Sequence, residues 1–85
     1  MSSSLYEAKY NELRALLRRL RVEAKLTQLE MAAALGVGQS YVSKIERGEN
    51  FVDVLLFVRW CDACGVKAGK VLDKFWVAGA SPSAT

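Results

Sequence analysis

The residues best suited to chemistry in this 85-residue chain fall into two groups, a cysteine pair and a run of amides, hydroxyls and cations. Cys61-Asp62-Ala63-Cys64 has the spacing of a redox pair or of half a metal site. A zinc site takes about four ligands, whereas the chain has two cysteines and no histidine. A reactive CxxC draws its low thiol pKa from a helix N-terminus, and this one falls at the end of an apolar segment, beside Phe57 and Trp60. The two thiols are therefore expected to pack in the core. With no histidine and no phosphate-binding glycine loop, no enzymatic activity, metal, cofactor or small-molecule substrate is expected.

The second group runs from Gln28 to Arg47, QLEMAAALGVGQSYVSKIER. Its residue types suit two short helices that meet at a sharp angle. Ala32 is small where two backbones would approach, and Gly36 is free to take the left-handed turn between them. Met31, Leu35 and Val37 anchor one side, Val42 and Ile45 the other. The outward positions of the second helix, Gln39, Ser40, Ser43, Lys44 and Arg47, are polar or basic. Such a face suits insertion into a groove of DNA.

The surrounding elements read as helices. Tyr6, Tyr10, Leu13, Leu17, Leu20 and Ala24 recur at helical spacing and predict a long first helix from Leu5 to about Ala24, with Arg14, Arg18 and Arg19 off the centre of the stripe. Thr27 followed by Glu30 forms a capping box that starts a second helix ending at Leu35. A third helix is predicted from about Gln39 to Glu46, with Gly48 ending it. A fourth starts near Asn50 or Asp53 and runs to Cys64, and a fifth spans about Ala68 to Trp76. The expected architecture is all-α, a compact five-helix bundle over residues 5–77. Residues 1–4 and 78–85 are expected to be disordered ends.

Net charge is +3 with a pI of about 9.1, a mild surplus that suits a polyanionic partner. The surplus is uneven: Arg14, Arg18, Arg19, Arg21 and Lys25 face a single acid, Glu23, across that segment. No stretch approaches the roughly 18 apolar residues of a membrane span. The N-terminus lacks the order of a signal peptide, and the cysteine usage suits a reducing compartment, so a cytoplasmic location is expected.

The segments Leu26-Thr27-Gln28, Gly36-Val37 and Gln39 through Glu49 together resemble the Cro/phage-repressor type of helix-turn-helix, the XRE family. The likeness spans about residues 13 to 75. It implies a lambda-repressor-like domain that binds double-stranded operator DNA as a homodimer, most simply a repressor on a palindromic site. By resemblance, Gln39, Ser40, Ser43 and Lys44 are expected to contact bases. Thr27, Gln28, Tyr41 and Arg47 are expected to contact phosphates, and Arg21 and Glu46 to form a partly buried ion pair. Two features depart from the family pattern. Gly38 offers no hydroxyl where relatives carry Ser or Thr, and the stretch Glu49 to Asp53 has no basic residue for the minor groove. An antitoxin with a toxin partner, or a restriction controller, fits the same resemblance. A protein adaptor that keeps the fold without DNA binding is the rival from another class.

The fourth helix is apolar on two sides, Phe57, Trp60, Cys61 and Cys64 on one and Val52, Leu55 and Val58 on the other. A helix of that kind is normally covered on both. With Trp76, the second side predicts a homodimer interface lined by Val52, Leu55, Val58 and Trp76.

Overall fold

The computed structural model describes the backbone of residues 4–78 and the side chains of residues 6–76. Five α-helices follow one another among these residues: α1 Ser4–Glu23, α2 Gln28–Leu35, α3 Gln39–Glu46, α4 Val54–Ala63 and α5 Ala68–Ala78. The expected disordered ends lie outside the described residues, apart from Ser4 and Ala78, which belong to α1 and α5.

The first four helices stop in the same way. Each has a residue in the left-handed region just past its end, followed by an amide that reaches back five residues: Leu26 N to Arg21 O, Val37 N to Ala32 O, Glu49 N to Lys44 O and Val66 N to Cys61 O, all at 2.8–3.1 Å. This closure satisfies carbonyls that the helix itself leaves open. Gly36 and Gly48 hold φ 75° and 80°, which glycine adopts without Cβ strain, whereas Lys25 takes φ 63° at the end of α1 with a side chain attached. Helix starts are capped as the residue types dictate. Thr27 Oγ1 accepts from Glu30 N while the Glu30 carboxylate accepts from Thr27 N, and Asp53 accepts from Leu56 N.

The core forms where α1, α2, α3 and α4 converge. Leu17, Met31, Val42, Ile45, Trp60 and Cys61 are fully enclosed. Burying side chains of this size contributes about 1.5–3 kcal/mol each for the larger apolar ones. Trp60 has a polar handle as well as apolar bulk, and its Nε1 donates to Leu17 O at 2.9 Å, tying α4 to α1.

The stripe on α1 differs from the expected one at both margins. Leu16 is buried as well, because α5 closes over that side with Val71 and Phe75 packed against the core. Tyr6 is exposed, because the first turn of α1 extends past the bundle. There Tyr6 stacks on Tyr10, and Tyr10 meets the edge of Phe51, with ring centroids 6.4 and 5.8 Å apart.

The cysteines close the end of α4. Cys61 is enclosed and Cys64 half-buried, and both are free thiols. Burial pushes the Cys61 thiol up to about 11, reinforced by Cys64 and Asp62.

Candidate nucleic-acid interface

α2 and α3 pack closely against each other and present α3 outward. The turn between them is Gly36-Val37-Gly38, with Val37 partly buried against the core as an apolar peg. On α3, Val42, Ile45 and Glu46 point inward. Ser40, Ser43, Lys44 and Arg47, spaced three and four apart, therefore share the opposite face. Gln39, Ser40, Lys44 and Arg47 are exposed, while Ser43 and Tyr41 are half-buried. Thr27 is exposed and committed to capping α2, with only its outer side open.

The inward side of α3 carries a charge. Glu46 is 7% exposed and Arg21 8%. Arg21 Nε donates to Glu46 Oε2 at 2.5 Å and Nη2 to Oε1 at 2.9 Å, a two-point fork. Arg21 Nη1 donates to Leu26 O at 2.8 Å, and Gln28 Nε2 donates to Glu46 Oε1 at 3.1 Å. The hydrogen bond to Glu46 raises the Arg21 pKa above its ordinary value and outweighs the opposing effect of burial. Every polar corner of the pair has a partner, which is the condition under which a buried ion pair is tolerated. Gln28, expected at a phosphate, sits half-buried with its amide turned to this pair.

A second α1 residue holds the same end of α3. Arg14 Nη1 donates to Glu46 O at 3.0 Å, and one helical turn earlier Tyr10 Oη donates to Asn50 O at 2.6 Å. Tyr10, Arg14, Leu17 and Arg21 lie four, three and four residues apart, so one face of α1 runs along the end of α3 and the segment that follows it. Arg14 lies so close to Gly48 that a Cβ there would sit 2.9 Å from its Cδ and Nε. Arg14 lies off the centre of the apolar stripe, and the structure pairs it with a helix-terminal carbonyl and with Asn11 Oδ1 at 3.2 Å. The i, i+4, i+7, i+11 spacing with Arg21 was the available signal.

At the outer end of α3, Arg47 Nε and Nη2 donate to Glu49 Oε2 and Oε1 at 2.9 and 3.1 Å, and Nη1 donates to Ser43 Oγ. Arg47 is raised and Glu49 lowered from their ordinary pKa values, each by its hydrogen bonds to the other.

Val52, Leu55, Val58 and Trp76 lie away from α3. Val52 and Val58 line an open apolar groove of about 380 Å³ between α4 and α5, together with Val54, Phe57, Leu72 and Phe75. Val54 is 76% exposed there, and Leu55, 74% exposed, is not among the lining residues. Trp76 is exposed near the end of α5, with Lys9 Nζ 4.9 Å from its ring centre.

Two short helices closed by a glycine turn, the second turned polar side outward and braced from behind, define a DNA-binding helix-turn-helix. The chain belongs to the helix-turn-helix domain family, whose pattern matches residues 12–74, and it is an XRE-type regulator. It is similar to an XRE-family like protein from Pseudomonas syringae pv. tomato str. DC3000, with 35% identity, TM-score 0.87, and coverage of 93% of this chain and 96% of that one. It is also similar to the clp gene regulator ClgR from C. glutamicum, with 32% identity, TM-score 0.72, and coverage of 85% of this chain and 94% of that one. A second structure of that regulator matches at 33% identity and TM-score 0.70, over 79% of this chain and 71% of that one. No curated protein matches the chain. Among the described residues, no helix is long and apolar enough to cross a membrane.

Proposed function

We propose that this regulator is a repressor that binds a palindromic operator as a homodimer in the cytoplasm, with α3 in the major groove. The observation that carries this reading is the outward row of α3. Gln39 and Ser40 stand exposed on its first turn and Lys44 one turn on. A glutamine amide both donates and accepts, and so matches adenine N6 and N7; a lysine matches guanine or phosphate. In this docking Ser43 reaches the same edge through its hydroxyl proton, its oxygen already accepting from Arg47. Thr27, Gln28, Tyr41 and Arg47 flank the row and set register on phosphates. The apolar surface of half-buried Val52 and exposed Leu55, Val58 and Trp76 is the proposed two-fold interface, in keeping with the rule that apolar surface patches mark contact sites.

Selection of duplexes from a randomised pool tests the reading. The expected motif is two-fold symmetric, with half-sites about one helical turn, or 10–10.5 base pairs, apart. Leu55→Glu is expected to yield a folded monomer in sedimentation and to weaken the selected duplex. Recovery of no preferred sequence, or a wild-type monomer both free and on DNA, would overturn it.

A further inference from the structure

One carboxylate stands among the cations of the recognition segment, and nothing in the fold needs it there. Glu49 follows the left-handed residue Gly48, and its amide donates to Lys44 O at 2.8 Å, which holds it one turn from Lys44 and beside Arg47. Both of its oxygens accept from Arg47, and the remaining Arg47 nitrogen donates to Ser43. Each of the three guanidinium nitrogens thus carries a hydrogen bond within the protein, and the fork side, Nε with Nη2, is taken by Glu49. The pair is no stability device, because both side chains are 53% exposed and exposed pairs contribute little. The neighbouring acid, Asp53, differs in having a structural task at the start of α4. Glu49 has no partner of that kind.

We propose that Glu49 is an intramolecular competitor of phosphate for Arg47, and that it limits sequence-independent DNA binding. The proposal rests on the DNA-binding reading of α3. A guanidinium held in a fork by a carboxylate presents the same donors that a phosphate would take. To hold a phosphate in that same two-point fork, Arg47 must give up Glu49 and leave an uncompensated anion beside the DNA. Sequence-independent binding is almost wholly electrostatic, so a competitor of this kind subtracts from it directly. The cations facing Glu49 are Arg47 and, at longer range, Lys44, both on the outward side of α3.

The test is binding of the intact chain to a random-sequence duplex across a range of salt. Glu49→Gln is compared with Glu23→Gln, which makes the same change in net charge at an exposed site on the α1–α5 side of the molecule. Freeing Arg47 for one more phosphate contact steepens the slope of log affinity against log salt by about 0.9, equivalent to a difference of about 3–4-fold between 50 and 200 mM. Glu49→Gln is expected to show that change and Glu23→Gln is not. In an Arg47→Gln background the excess is expected to vanish. Glu49→Ala serves the same comparison if glutamine disturbs the turn. Equal effects of the two glutamate variants, or an undiminished excess without Arg47, would overturn the inference while leaving DNA binding intact. Failure of the wild type to bind any duplex at low salt would instead overturn the DNA-binding reading, and this inference with it.

Discussion

Replacing Glu46 by alanine removes the carboxylate that accepts three side-chain hydrogen bonds, two from Arg21 and one from Gln28, and the cost can be worked from the geometry. Arg21 loses the acceptors of Nε and Nη2 and keeps only Leu26 O, while Gln28 loses its partner altogether. The charge left behind belongs to a residue only 8% exposed. Breaking a buried pair on one side costs about 3–5 kcal/mol, and the retained bond to Leu26 places this case near about 3. For a domain of this size each kcal/mol lowers the melting temperature by about 4–8 °C, so the expected drop is about 12–24 °C. Thermal unfolding followed by circular dichroism measures it directly. Arg21→Ala is expected to be costly for the converse reason, an uncompensated carboxylate at 7% exposure. The apolar double replacement Arg21→Met with Glu46→Leu is expected to be milder than either alanine variant, because no buried charge is left unpaired. Shifts of less than about 2 °C for both alanine variants would refute the reasoning, since a stranded buried charge cannot be that cheap.

Two further outcomes concern backbone and thiol. Gly48→Ala forces a Cβ into φ 80° against Arg14 and is expected to destabilise by about 1–2 kcal/mol in chemical denaturation; in an Arg14→Ala background the steric part disappears and the cost falls, so additivity of the two changes would be contrary evidence. The Cys61 thiol titrates at about 11 in the fold against an ordinary 9.0, so the folded state holds its proton more tightly. That contribution to stability is complete below about 9 and is lost as pH rises towards about 11. Stability measured across that window is expected to fall less steeply in Cys61→Ala, and thiol labelling of the native protein is expected to reach Cys64 well before Cys61.

The helices were legible because their boundaries are written in short-range chemistry. Thr27 with Glu30, and Gly36, Gly48 and Gly65, each act within five residues, whereas the start of α4 stayed open between Asn50 and Asp53 until the Asp53 cap settled it. The end of α1, expected near Ala24 and found at Glu23, followed from where the stripe stops and not from a turn signal. Lys25 does there what glycine does elsewhere, and a lysine gives no sign of a left-handed turn. Tyr6 lies on the apolar stripe yet is exposed, because periodicity records a face and not how far its partners reach: Phe75 and Trp76 of α5 cover Lys9, with ring centres 4.7 and 4.9 Å from its Nζ, and leave Tyr6 open. Within the site, the outward row of α3 followed from spacing alone. The partners of Arg14, Gln28 and Arg47 did not. Each of these side chains is long enough to reach either solvent or a neighbour, and its choice depends on how α1, α2 and the turn after α3 are set in space. Exposure of Val54 and Leu55 beside enclosed Trp60 shows the same limit: a two-sided apolar helix announces a second contact without naming what makes it.

The bracing of α3 is lopsided, and the asymmetry bears on how it can be used. Its C-terminal end is held by Arg14 at the Glu46 carbonyl, by Arg21 and Gln28 at the Glu46 carboxylate, and by the closing turn at Gly48, with Tyr10 securing the segment just beyond. Its N-terminal end starts at Gly38, which makes no side-chain cap, and exposes Gln39 and Ser40 directly. A helix whose C-terminal end is anchored to α1 and α2 has its axis set by them, so the position of its N-terminal turn is determined in part by contacts well removed from it. Precise base recognition needs that kind of remote definition, because a side chain that forms its hydrogen bonds at the far tip of a lever tolerates little error at the fulcrum. On this reasoning Arg14 and Tyr10 matter to DNA recognition without touching DNA. Shortening either side chain would let α3 settle at a slightly different angle, and the loss would fall more heavily on the base contacts proposed for Gln39 and Ser40 than on sequence-independent phosphate contacts, which accept a range of positions.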